Sequence, residues 1–263
     1  MARIINLSIF KISLEKSDVS FKQKTKKVAE LYLVYLLAAL VLNIPLLLTD
    51  RLIVKPFLDF SFYQQMEMNS LKITSRYGDY GLLYVVLLGP FLEEMLFRLP
   101  LSLEKIGIGV SFALITYRLS VEHILTELEY DNPYWYVKLA IALCVFLFTI
   151  KFFPSSWLTT IKENYLPHAF YFISAVFALV HIANFAPYNL HVMFFYPIFI
   201  LPQFLMGLFI GYTRIKYGFI YGVVLHGLIN LPFAILHLWF FYILSIVLCS
   251  LRLGWRSFYQ LDR

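Results

Sequence analysis

Charge is what this chain has least of. Asp, Glu, Lys and Arg make up 14% of its 263 residues, against 60% hydrophobic ones. Soluble domains carry about 25% charged and 45–50% apolar residues. That deficit excludes a water-soluble fold, and the mean hydropathy of +0.74 agrees. Cysteine is scarce as well. Cys144 and Cys249 both sit in apolar runs, which argues against a disulfide framework or a cysteine-rich zinc site. Each thiol reads as a small buried hydrophobe. No cleaved leader is expected, because the apolar patch from Ile4 to Ile12 is broken by Asn6, Ser8 and Lys11 and no small-residue cleavage site follows. The first span should then act as the insertion signal. There is no evident internal repeat, no low-complexity tract and no His-Glu-x-x-His pair. A separate soluble domain needs about 50 residues, and the longest polar stretch is roughly the first 28.

What is present is long apolar blocks, the signature of membrane-spanning helices. Eight are read, at about 31–49, 80–101, 106–119, 135–153, 168–186, 190–213, 217–231 and 232–251. The third is short for a span of about 20 residues. The last two meet at Leu231-Pro232, where proline can start a helix but not continue one. The expected fold is therefore all-α and polytopic, with seven or eight transmembrane helices, eight preferred, around an intramembrane polar cavity. It divides into a basic cytoplasmic segment 1–30, one transmembrane domain 31–251 and a short cytoplasmic tail 252–263.

The net charge of +6 is unevenly spread. Arg3, Lys11, Lys16, Lys22, Lys24, Lys26 and Lys27 crowd the N-terminal segment. A topology determinant lying on anionic lipid accounts for them. Nucleic acid is not an expected partner, since nothing aromatic or folded accompanies the charges. With that segment inside and eight spans threaded, Lys105, Lys151, Lys162, Arg214, Lys216, Arg252, Arg256 and Arg263 fall inside, and the acidic loop of Glu122, Glu127, Glu129 and Asp131 outside. The exception is 50–79, outside yet carrying Arg51, Lys55, Lys72 and Arg76. Its Phe57, Phe60, Phe62 and Tyr63 predict a segment packed on the membrane surface.

Ionisable groups inside a span cost several kcal/mol and are a functional hypothesis by default. Three sites carry them: Glu93, Glu94 and Arg98; His181, four residues after Phe177; and His226 with Asn230. Glu94 and Arg98 share a helix face and can pair. Glu93 lies about 100° round the helix with Phe97 at its i+4 position, so it has no such partner. Pro90 stands just before the pair and is placed to distort the helix and admit water. His226 and Asn230, four apart, could donate to one oxygen as an oxyanion hole does, or the histidine could bind metal. An ion-paired packing network, a proton relay and plain interhelical hydrogen bonds are the competing accounts. The other histidines, His123, His168, His191 and His237, lack such a setting. Tyr134, Trp135 and Trp255 read as interfacial anchors.

Taken in order, Glu-Glu-x-x-x-Arg (Glu93, Glu94, Arg98), Phe-x-x-x-His (Phe177, His181) and His-x-x-x-Asn (His226, Asn230) resemble the CPBP family of CAAX proteases and bacteriocin-processing (Abi) membrane proteins. The resemblance covers about 80–235 and no motif position departs from it. It implies an eight-helix fold with a water-filled cavity and hydrolysis of a peptide bond in a membrane-associated peptide or protein. It implies Glu93 as the base that activates water, His181 as the residue that helps hold that water, His226 and Asn230 as the oxyanion hole, and Glu94, Arg98 and Phe177 as supporting residues. No cofactor is favoured, with zinc on Glu93, His181 and His226 as the alternative. The ending lacks an endoplasmic-reticulum retention signal, so a bacterial plasma membrane is expected. The rival functions are a non-catalytic immunity or scaffold protein on the same fold and a proton-coupled transporter.

Overall fold

A computed structural model of the chain describes residues 20–119, 134–232 and 234–235. Among them the architecture is helical throughout, with no strand. Four helices among the described residues are long and apolar enough to cross a membrane: Phe21–Leu58 (α1), Trp135–Phe152 within Tyr134–Phe152 (α5), Ser155–Phe185 (α6) and Leu190–Tyr217 (α7). Between and after them lie Phe62–Tyr77 (α2), the segmented helix 81–97 (α3), Lys105–Leu119 (α4) and the shorter apolar helix Phe219–Pro232 (α8). The expected eighth span beyond residue 235, the acidic loop around Asp131, residues 1–19 and the tail 252–263 lie outside the described residues.

α1 begins earlier than hydropathy suggests. Ser20 caps it by accepting from the Gln23 N–H, and Gln23 Oε1 accepts from the Ser20 N–H in return, a reciprocal box that closes two orphan donors. Lys27 and Glu30 pair at 2.8 Å on the first exposed turns. The whole helix is 38 residues, about 57 Å at 1.5 Å per residue, nearly twice a bilayer core of about 30 Å. Leu33, Leu37, Leu40, Val41, Ile44 and Leu48 face outward along it, as a lipid-facing side should.

The segment 50–79 packs partly into the bundle. A wide turn at Asp50–Val54 carries α1 on to Leu58. There Asp50, buried, accepts from Ser61 Oγ at 2.6 Å and from the Phe62 N–H at 2.8 Å. That clip folds α2 back against the bundle. Phe62 is wholly buried, stacked on Phe199 at 4.1 Å and edge-on to Phe185 and Tyr196. Only Phe57 of the four aromatics points fully outward. Asp50 supplies the local cap that buries Phe62 and leaves Phe60 and Tyr63 half-buried, packing that the run of aromatics does not announce. α2 is then tied down by Gln65 Nε2 on the Ala186 carbonyl at 2.8 Å and by Asn69 Nδ2 on the carbonyls of Asn184 and Ala186.

α3 is a chain of short pieces: Gly81–Leu83, a π turn Tyr84–Leu88, then Gly89–Phe97. Pro90 explains the break. In the π turn Gly89 N–H reaches the Tyr84 carbonyl, so the Val85 carbonyl would next look to residue 90, which has no N–H. α8 packs on this defect: a Cβ on Gly227 would run into the Val86 carbonyl. α6 and α7 pack through Gly207 and Gly211, which let Ser174, Phe177 and Phe170 come close. α4 lies along α5, with Gly109 against Phe146 and Ile150.

Candidate active site

α3, α6 and α8 bring together the three polar sites that sequence separates by some 130 residues. The two adjacent glutamates face different surroundings. Glu93 stands half-buried on the wall of a recess of about 370 Å³, which His181, His226 and Asn230 also line. Its Oε2 lies 3.8 Å from His181 Nε2 and 3.6 Å from His226 Nε2. Glu94 points into the protein with no exposed side-chain surface. Its Oε1 is 3.7 Å from Arg98 Nη1 and 3.2 Å from His226 Nδ1. His226, 1% exposed, therefore bridges the two carboxylates, one at each ring nitrogen.

Each histidine is oriented through Nδ1. His181 Nδ1 donates to the Phe177 carbonyl at 2.7 Å, since a carbonyl can only accept. His226 Nδ1–H is directed at Glu94, which as a carboxylate also only accepts. Both Nε2 atoms are thereby left facing Glu93. His181 holds this pose because the α-helix tightens to 3-10 geometry at that residue.

Phe177 supports both pairs from beneath. It is fully buried, its ring 3.7 Å under the Arg98 guanidinium and 4.4 Å from the His181 ring, with the Phe97 ring edge-on at 5.6 Å. Arg98 is wholly buried and its guanidinium nitrogens have no hydrogen-bond acceptor among the described residues. The ring face and the Glu94 charge are what stabilise it there.

Asn230 has a partner that its spacing did not announce. Its Nδ2 donates to the Val85 carbonyl at 3.1 Å, the group that Pro90 leaves without a helical donor. One amide hydrogen is thus spent on repairing α3, and an amide has two.

Three contributors were invisible in the motifs. Arg214, read as an inside-facing charge, is buried with its guanidinium 5.1 Å over the Phe219 ring. Gly222 separates its Cβ from Glu94 Oε2, so a second cation sits behind the buried glutamate. α2 supplies Met66, Asn69 and Ser70 to the recess, and α7 supplies Gln203. Only Gln203, a polar residue within an apolar span, carried a sequence signal. Among the described residues no group of three or more His, Cys, Asp or Glu side chains has the arrangement to hold a metal ion. No family model, curated protein or solved structure matches the chain.

Proposed function

We propose that the protein is an intramembrane endopeptidase of the CPBP type, which cuts a peptide bond in a membrane-associated peptide or protein without a metal. The observation that carries the reading is the convergence of Glu93, His181 and His226, from three separate helices, on one recess. A water between Glu93 and His181 meets two acceptors, the carboxylate and the unprotonated Nε2, so both its hydrogens are held and a lone pair is free to attack. As its oxygen bonds to the substrate carbonyl carbon, Glu93 takes one proton. The carbonyl oxygen becomes an oxyanion, held by His226 Nε2–H and the second amide hydrogen of Asn230. His226 can donate there only as the doubly protonated ring, because Nδ1–H is directed at Glu94. Collapse breaks the C–N bond, and Glu93 returns its proton to the departing amine.

In this reading eight helices span a bacterial plasma membrane with both termini cytoplasmic, and the recess is the water-filled cavity. Zinc on Glu93, His181 and His226 is the chemical rival. A proton-coupled transporter is the rival that the geometry itself suggests, since Glu93, His226 and Glu94 form a continuous file of proton-holding groups. Among the described residues that file meets Arg98 and Arg214, guanidinium groups that do not give up a proton, which favours the peptidase reading. Proteomics of peptide C-termini in cells carrying wild-type protein or Glu93→Gln tests the proposal. New C-termini that vanish with Glu93→Gln support it; an identical set in both cells refutes it.

A further inference from the structure

The wall of the recess continues past the reacting groups to Asn184, which the chemistry above does not use. α6 ends in a 3-10 stretch, His181–Phe185. In that geometry side chains three apart eclipse, so Asn184 stands on the same face as His181, one turn further on. Both residues are half-buried and both line the recess. The Asn184 backbone is fixed from the other side: Asn69 Nδ2, on α2, donates to its carbonyl at 2.9 Å and to that of Ala186 at 2.7 Å. The Asn184 side-chain amide makes no hydrogen bond among the described residues. One acceptor and two donor hydrogens are therefore unspent, beside the residue that holds the attacking water.

Resting on the peptidase reading, we infer that Asn184 binds the substrate's backbone. Its Oδ1 accepts the N–H, and its Nδ2 donates to the C=O, of one residue of an extended peptide. The spacing says which residue. One turn of 3-10 helix rises about 6 Å, and two residues of an extended chain rise about 6.6 Å, so the residue held is two positions from the bond that lies at Glu93. An extended residue presents its N–H and C=O to the same side, and a primary amide offers the matching acceptor and donor together. The need is physical: a peptide drawn out of a helix gives up its own hydrogen bonds, and a backbone group left unpaired away from water costs free energy. The contact reads no side chain. The ligand is thus any unwound peptide that keeps an N–H at that position, and proline there is excluded.

The test uses full-length protein in lipid nanodiscs and a synthetic apolar peptide that wild type cuts and Glu93→Gln does not. The peptide's backbone nitrogens are methylated one at a time on both sides of the cut. Wild type should lose about tenfold in kcat/KM when the residue two positions away, on one side, is methylated. Asn184→Leu keeps size and branching and removes the amide. It should cut the parent peptide about tenfold less efficiently, through KM, and show no further loss from that methyl group. Asn184→Ala should lose the methyl penalty in the same way, and serves should the leucine variant fail to fold. A variant that weakens cleavage of every peptide equally, with the methyl penalty intact, assigns Asn184 a structural role and overturns the contact while the peptidase stands. So does a wild type with no penalty at either second position. If no peptide is cut by wild type and spared by Glu93→Gln, the peptidase reading falls, and the contact with it.

Discussion

Replacing Glu94 by Gln is the sharpest test of how the buried charges are arranged. The change keeps volume and removes charge. Arg98 would lose the only carboxylate within 4 Å among the described residues, while its guanidinium, fully buried, keeps the face of Phe177. His226 would lose its charged acceptor at 3.2 Å. An exposed ion pair contributes roughly 0–1 kcal/mol; removing one partner of a buried pair costs about 3–5 kcal/mol, because the other charge is left uncompensated. At zero exposure the second figure applies. For a chain of this size about 2–4 °C accompany each kcal/mol, so Glu94→Gln should lower the melting temperature in detergent by roughly 6–20 °C. The assay is thermal unfolding followed by size-exclusion fluorescence, at fixed detergent and protein concentration. The double variant Glu94→Gln/Arg98→Met should recover much of the loss, since no stranded charge remains. A single variant that melts within about 2 °C of wild type, or a double variant that melts no higher than the single, would refute the reasoning.

Glu93→Gln should leave the melting temperature within about 2 °C of wild type while abolishing cleavage, because Glu93 stands on a recess wall with no Arg or Lys ion-pair partner among the described residues; near-normal turnover would sink its role as base. Asn230→Ala should slow turnover about 10²–10³-fold, as loss of an oxyanion donor does elsewhere, and should also reduce thermal stability by exposing the Val85 carbonyl to no donor. Purified protein should hold no stoichiometric zinc by mass spectrometry and keep its activity after dialysis against EDTA; zinc lost together with activity in His181→Ala and His226→Ala would make it a metalloprotease. Gly227→Ala should destabilise, since the added methyl meets the Val86 carbonyl and α8 must move off α3; an unchanged melt would show that contact to be loose. Cysteines placed at Lys24 and Leu190 should be labelled from opposite sides of the membrane, and labelling from one side would refute the eight-span threading.

Composition and hydropathy by themselves determined that this is a helical chain with apolar segments of membrane-crossing length, because the absence of water leaves helices as the economical way to satisfy a backbone. Local spacing also separates the two glutamates: residues four apart on a helix meet, and residues one apart do not, so the sequence alone pairs Glu94 with Arg98. What spacing could not supply was the partner each polar group finds across helices. That Asn230 mends the gap left by Pro90 depends on α8 crossing α3 at the π turn. That Arg214 is buried behind Glu94 depends on Gly222 letting two helices approach. That α2 turns inward depends on Asp50, one carboxylate whose donors, Ser61 and the Phe62 N–H, lie eleven and twelve residues on. Helical periodicity acts over one or two turns of a single element, whereas these contacts are set by how side-chain volumes let separate helices meet, and only the tertiary structure decides that.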